Sequence, residues 1–285
     1  MKKILLPTDF SDNAWNAITY ALEFFKDEKC EFYFLHTYTP TFYRVDYMMG
    51  GPTYSALPDM GVDIAQAGLD KTLTDVRSKY SNKNHQFKTL SAFNMLTDEI
   101  QELSETKNFD LIVMGTQGAT GAKEIFLGTH TVHVIRKSKI PVMAIPEGYS
   151  FKEVRSIVFP TDYANPINEN DIKFLIGTVK MHEAKLTILN VNDHTKLTKD
   201  QNAHKQSLSV FFNDLDHTFE QVSGQEMPNA IHEYIEHKNI GLLAMLSRNH
   251  SFLERLIVKS KVDSIGFHTK VPFLVMRDTA NGQSK

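Results

Sequence analysis

Cysteine is nearly missing from this chain: Cys30 is the single one in 285 residues, so no intramolecular disulfide can form and no thiolate zinc site can be built. A reducing compartment fits that composition. Long apolar runs are missing too. None approaches the roughly 20 residues needed to span a bilayer, and the first, Ile4 to Leu6, is stopped by Pro7 and Asp9, well short of a secretory signal core. A cytoplasmic protein without membrane contact is expected. Charge of one sign is scarce as well, with 31 Lys and Arg against 34 Asp and Glu and a net charge of −3. With no basic run to follow a phosphate backbone, nucleic acid is not an expected partner. The commonest nucleotide and nucleophile motifs are also incomplete. In GATGAK, from Gly118 to Lys123, no glycine directly precedes the lysine and no Ser or Thr follows it, so it is not a Walker loop. The first strand runs into Thr8, Asp9, Phe10 and Ser11 where a dinucleotide fold carries GxGxxG. There is no GxSxG elbow. The 12 histidines contain no HxxxH with a carboxylate, so His130 and His133 do not read as zinc ligands, and Cys30 begins a strand with no evident activating partner.

What is present is a soluble globular composition, 41% apolar and 23% charged, long enough for one large or two ordinary domains. The chain also repeats itself. Lys3 to Ser11, KILLPTDFS, returns as Ser156 to Ala164, SIVFPTDYA. Phe32 to Thr37, FYFLHT, returns as Leu186 to Val191, LTILNV. Asp110 to Pro141 aligns without a gap on Gly241 to Pro272, sharing Met114/Met245 and Pro141/Pro272. Two tandem copies follow, residues 1–148 and 149–279, with PEGYS (Pro146 to Ser150) at the junction and a disordered tail at 280–285. Each copy alternates strand and helix, which predicts an α/β fold of two doubly wound open parallel sheets of five strands. In the first copy strands are expected near Lys3 to Pro7, Phe32 to Thr37, Gln86 to Leu90, Leu111 to Met114 and Val142 to Ile145. In the second they are expected near Ser156 to Pro160, Lys185 to Val191, Thr218 to Val222, Leu242 to Leu246 and Pro272 to Met276. A helix should open after Ser11 or Asp12 and turn Trp15, Ile18, Ala21, Leu22 and Phe25 to one face. Another, from about Met95 to Lys107, carries Ile100 and Leu103 at helical spacing. Between them Pro40 to Val62 has three prolines, several tyrosines and methionines and no period. It reads as a long loop, with lid, interface element and plain surface insertion all open.

The stretch Leu111 to Thr129, LIVMGTQGATGAKEIFLGT, carries the functional signal. A strand leads into Gly115 and Gly118, and Gly128 and Thr129 stand at a helix start, where unpaired N–H groups and the helix dipole favour an anion. Spacing alone leaves two readings open, a phosphate cradle and a loop merely shaped by glycine. Taken together these residues resemble a tandem member of the universal stress protein family, over nearly the whole chain. Nucleotide-binding members of that family carry G-x2-G-x9-G-[ST] after the fourth strand, and Gly115, Gly118, Gly128 and Thr129 meet every fixed position. The resemblance implies a Rossmann-like fold, an adenine nucleotide (ATP or AMP, with Mg²⁺ as a further candidate), and a site made of Pro7, Thr8, Asp9, Thr37, Met114, Gly115, Gly118, Gly128, Thr129 and His130. It implies that Gly115 and Gly118 let the backbone pass close to ribose and α-phosphate. Gly128, Thr129 and the amide of His130 hold the outer phosphates, Leu35 to Thr37 meets the adenine, and Asp9 accepts from ribose or adenine donors or holds a metal. Capping of the first helix is the competing role for Asp9. His36 reads as a packed, hydrogen-bonded residue at the end of its strand.

The second copy lacks these glycines. Leu246, Asn249 and Lys259 stand opposite Gly115, Gly118 and Gly128; Ser260 matches Thr129 and Asp162 matches Asp9. Side chains at those positions block close backbone approach, so nucleotide binding is expected in the first copy alone, and its glycines are taken to need a ligand-related reason. Arg248, His250, Lys259, Lys261 and His268 read as a solvated face before an anionic site. The last strand of each copy would lie at a sheet edge, and in the resembled family that strand commonly mediates dimerisation. The chain is therefore expected to be an intramolecular pseudo-dimer paired through its last strands, with homodimerisation open. Three functions follow: a stress-response regulator that binds ATP or AMP, a weak Mg²⁺-dependent ATPase, and a ligand-free scaffold for a protein partner. Against the ATPase stands the lack of a positioned base, an arginine finger and a second metal carboxylate.

Overall fold

The structure is a computed structural model, and it describes residues 1–38, 60–116, 128–191, 196–223, 227–247 and 270–278. Among these, ten short runs rich in Val, Ile, Leu and Phe form strands: β1 Lys2–Pro7, β2 Cys30–Tyr38, β3 His85–Phe93, β4 Leu111–Gly115, β5 Val142–Ile145, β6 Ser156–Thr161, β7 Lys185–Val191, β8 His217–Val222, β9 Leu242–Ser247 and β10 Phe273–Arg277. β4 and β5 are buried at every position, whereas β3 after His85 consists of partly buried and exposed residues. Unbroken burial marks a strand covered on both faces, and greater exposure fits the place of β3 at the end of the sheet.

All ten strands join one sheet in the order β3-β2-β1-β4-β5-β10-β9-β6-β7-β8. Each half has the same internal order, and every pairing is parallel except that between β5 and β10, where Ala144, Met143 and Val142 lie opposite Phe273, Leu274 and Val275. The two sheets expected from the sequence are therefore fused through their last strands. In each half the strand order reverses once, between β1 and β4 and between β6 and β9. Such a reversal opens a crevice at the carboxyl ends of the strands.

Seven helices are described: α1 Asp12–Phe24, α2 Met60–Lys79, α3 Leu96–Thr106, α4 Thr129–Lys137, α5 Glu169–His182, α6 Lys199–Phe211 and α7 Met227–His237. α1, α2, α5 and α6 pack on one face of the sheet in a core that runs through both halves, and α3, α4 and α7 cover the other face. α1 opens as expected after Ser11, whose hydroxyl accepts from the Ala14 amide at 3.2 Å. Ile18, Ala21, Leu22 and Phe25 are buried and Trp15 partly so. Ile100 and Leu103 are the buried pair of α3. The long loop ends earlier than its composition suggested, because Met60 already begins α2. The rest of that loop and the tail lie outside the described residues.

The halves also meet through side chains. Tyr20 packs edge-on against Phe151 at 5.4 Å between ring centroids, and Phe24 lies 4.3 Å from His182 of α5. Burial, followed by the nearby Lys26, pushes the His182 imidazole down to about 4, with Asp27 and Glu28 opposing and Lys2 reinforcing the shift. Its Nε2 is buried without a hydrogen-bond partner among the described residues. The unfolded ring titrates near 6.5, so between about 6.5 and 4 the unfolded chain holds the extra proton. The stability contributed by neutral His182 is thus complete above about pH 6.5 and is lost as the pH falls towards 4. Urea titrations across this window should show wild type losing stability more steeply than His182→Gln; parallel curves would mean the ring is not held neutral at the join.

Candidate functional site

At the carboxyl end of β1 the chain must leave the sheet and enter α1 within a few residues. Thr8 extends the β1 ladder by one more bond, its amide reaching Leu35 O at 2.8 Å. Phe10 then takes a left-handed conformation with φ 65°, which costs a non-glycine residue on the order of 1 kcal/mol or more unless its surroundings hold it. Here they do. The Phe10 amide donates to Thr8 Oγ1 at 3.0 Å, and its ring stacks on His36 with centroids 4.3 Å apart. Gly68 of α2 lies so close that a Cβ there would come within 2.4 Å of that ring. His36 Nδ1 sits 2.8 Å from Thr8 O. A carbonyl only accepts, so Nδ1 carries the proton.

Asp9 is exposed. Its Oδ1 accepts from the Ser11 amide at 3.1 Å and from the Ser11 hydroxyl at 2.6 Å. The helix cap is therefore Ser11, and Asp9 holds the cap in place. The second half builds the same turn from different residues. Tyr163 is left-handed with φ 55°, its amide reaches Thr161 Oγ1 at 3.1 Å, and the Ala164 amide reaches Asp162 Oδ1 at 3.0 Å. Asn190, aligned with His36, donates from Nδ2 to Thr161 O at 3.0 Å. This turn is a requirement of the fold in both halves.

Across the reversal point, β4 ends at Gly115. An added Cβ there would stand 2.5 Å from Asn13 Nδ2, so this glycine has a packing reason of its own, the close approach of α1. That differs from the purely ligand-related reason expected from the sequence. The Gly115 carbonyl accepts from the Thr131 hydroxyl at 2.9 Å, and the Thr116 amide donates to Ile145 O at 3.0 Å. The Gly128 amide closes the loop onto Thr116 O. Gly128 is the N-cap of α4, with φ −53° and ψ 149° and no side-chain cap. Thr129 and His130 follow it exposed, while Arg136 and Lys137 occupy the last turn.

Pro7, Thr8 and Asp9 at β1, Thr37 at β2, Met114 and Gly115 at β4, and Gly128, Thr129 and His130 at α4 thus share one end of the first half's sheet, beside the β1/β4 reversal. Gly118, with Gly121, Lys123 and Glu124, lies outside the described residues. Met114 is 6% exposed and belongs to the core, so only its backbone is available to a ligand. Asn13, Thr116 and Thr131 were not singled out from the sequence. The Thr116 hydroxyl is buried with no partner among the described residues, and its position directly after Gly115 was the available signal. In the second half Leu246 is buried in the core; Arg248, Asn249, His250, Lys259, Ser260, Lys261 and His268 lie outside the described residues. Cys30 is fully buried, and burial pushes its thiol up to about 12, which removes it from nucleophilic chemistry. Among the described residues no group of three His, Cys, Asp or Glu could hold a metal, and no helix is long and apolar enough to cross a membrane.

Comparison with known proteins places this geometry. The model of the universal stress protein family matches residues 1–146. A universal stress protein of Methanocaldococcus jannaschii is 29% identical over 163 residues, covering 50% of this chain and 94% of its own length. The YxiE universal stress protein of Bacillus subtilis is 27% identical over 148 residues, covering 50% of this chain and 97% of its own length. Over the whole chain, a universal stress protein structure from Archaeoglobus fulgidus aligns with a TM-score of 0.69 at 21% identity, covering 97% of this chain and 96% of that one. At that identity it establishes the fold.

The contact between Gly115 and Asn13 can be tested apart from any ligand. Gly115→Ala should lower unfolding free energy by about 1–3 kcal/mol through overpacking, and Asn13→Ala in the same chain should recover most of it. A double variant as unstable as the sum of the singles would remove Asn13 as the cause.

Proposed function

Because this chain belongs to the universal stress protein family, as the match over residues 1–146 establishes, we propose that its first copy, residues 1–148, binds an adenine nucleotide, ATP or AMP. The second, residues 149–279, is a degenerate copy that acts as its structural or regulatory partner. The observation that carries this reading is the start of α4. Gly128 supplies no side chain to cap the helix, so the first-turn amides and the exposed Thr129 hydroxyl are left to a ligand. Four N–H groups of a helix N-terminus lack intrahelical partners, and the dipole there favours negative charge. A phosphate group answers both needs.

In this reading the outer phosphates sit beside Gly128 on the amides of Thr129 and His130, and Gly115 and Gly118 give the backbone its close approach. The backbone of Pro7, Thr8, Met114 and Thr37 frames the nucleoside, and Asp9 accepts from ribose or adenine donors. The residues fit Mg²⁺ in one way. Asp9 alone supplies a carboxylate, as in sites where one or two carboxylates and the substrate's phosphates hold this ion; the ion would neutralise phosphate charge. Catalysis is not part of the reading, since a cradle that holds phosphate does not by itself position an attacking water. The protein is then a cytoplasmic regulator in the stress response, and its protein partner is to be found.

ATP or AMP with Mg²⁺ should raise the melting temperature, because a ligand selective for the folded state stabilises it by about 2.7 kcal/mol at a hundred times its Kd. Gly118→Leu should abolish the rise, and Asn249→Leu should leave it intact. Unchanged melting with either nucleotide, or equal loss in both variants, would remove the reading. Mass spectrometry of the denatured protein would identify a copurifying nucleotide, and sustained phosphate release lost in Asp9→Ala would shift the assignment to an ATPase.

A further inference from the structure

β3 and β8 are the two ends of the ten-stranded sheet. On an end strand every second residue turns its N–H and C=O away from the sheet, where they can take another strand. On β3 the register says which. The Cys30 amide donates to Asn84 O, and Cys30 stands opposite His85. Even-numbered residues of β3 therefore bond to β2, and His85, Phe87, Thr89, Ser91 and Phe93 turn their backbone outward. Among the described residues, no strand or loop takes up the outward groups of Phe87, Thr89 and Ser91.

Soluble proteins guard such edges with proline, a bulge, a free charge or short length. β3 has none of these. Its nine residues, HQFKTLSAF, contain no proline, and all of them pair with β2 in an unbroken register. Its one Lys, Arg, Asp or Glu is Lys88, and that charge is drawn back onto the sheet. The ammonium pairs with the carboxylate of Glu31, whose side chain is 6% exposed, and lies 5.3 Å from the centroid of the Tyr33 ring. At the carboxyl end of the strand Phe93 and Met95 are 54% and 63% exposed. β8, at the other end of the sheet, is shorter, with six residues.

We propose that β3 is a docking edge for a second copy of this chain, which adds its own β3 antiparallel about a two-fold axis at Thr89. That register overlaps the whole strand and sets outward-facing backbone against outward-facing backbone: Thr89 on Thr89, Phe87 on Ser91, His85 on Phe93. Lys88 then stands opposite Leu90. An axis at Lys88 would instead bring two ammonium groups together. Phe93 of one copy comes beside His85 and Phe87 of the other, whose rings already lie 6.4 Å apart, and aromatic cross-strand neighbours stabilise a pairing. A two-fold contact closes on itself, whereas β3 on the β8 of a next copy would run on into a filament. The chain already joins its own halves by an antiparallel pairing only three residue pairs long. The contact is independent of the nucleotide reading.

Sedimentation velocity of the full-length protein over about 1 to 200 µM, the range in which contacts of small area associate, should show a reversible monomer–dimer equilibrium. Thr89→Glu and Thr89→Lys each set like charges face to face on the axis and should weaken the dimer about fivefold or more. An equimolar mixture of the two should associate as a heterodimer. Ser91→Pro removes an outward amide and no bond to β2, so it should abolish the dimer while the melting temperature of the monomer stays near wild type. The proposal is overturned if the protein is still monomeric at about 200 µM, or if species larger than a dimer grow with concentration. It is also overturned if Ser91→Pro dimerises like wild type, or if the mixture associates no better than either Thr89 variant alone.

Discussion

β5 and β10 are short strands, and each would be an open sheet edge in its own half. Their antiparallel pairing, three residue pairs long, satisfies backbone groups that would otherwise face water or another chain. The rest of the architecture depends on it. It makes ten strands one sheet and places α1 and α5 on the same face, so that Phe24 meets His182 and a single core runs through both halves. It also fixes the path of the joining segment across the end of α1. Each half retains its own reversal point, and the first combines that point with a glycine-started helix.

Comparing the halves separates what the fold requires from what it tolerates. Both keep the turn of threonine, aspartate and a left-handed aromatic, and both tie the threonine carbonyl to the next strand, one through His36 and the other through Asn190. Two chemically different side chains answering the same need show that the bond matters and the imidazole does not. Gly115 is explained by the approach of Asn13. In the second copy Leu246 replaces it, Pro166 stands in alignment with Asn13, and α5 starts later, after Asn168. At Gly128 the backbone conformation does not call for glycine. Its φ of −53° and ψ of 149° are open to any residue, and Ser, Thr, Asp or Asn there would cap the helix better by a few tenths of a kcal/mol. A glycine at that position forgoes a cap and leaves the amides open.

The strands were legible because burial on both faces writes continuous apolar runs, and the tandem copies gave each run a second reading. The join was expected from the edge position of each last strand together with the resemblance, in which that strand commonly mediates dimerisation. The start of α4 could be read from Gly128 and Thr129. The packing of Gly115 on Asn13 could not, because it depends on how far α1 reaches over β4, which no local pattern records. The role of Asp9 was read as a choice between ligand and cap, whereas the structure inserts Ser11 between Asp9 and the helix.

α4 connects the two halves in a way that follows from its ends. Its N-terminus opens at the crevice beside the β1/β4 reversal, and at its other end Arg277 of β10 donates to Lys137 O at 3.4 Å and Ser138 O at 3.3 Å. Nine residues long, the helix spans about 13 Å. Negative charge at its start and positive charge at its end both complement the dipole, each by about 0.3–1 kcal/mol at exposed positions. A phosphate bound at Gly128 and the guanidinium supplied by the second half therefore favour the same ordered helix. The second copy thus touches the helix whose start carries the proposed phosphate site, since β10, which pairs with β5, also carries the arginine that donates to the far end of α4.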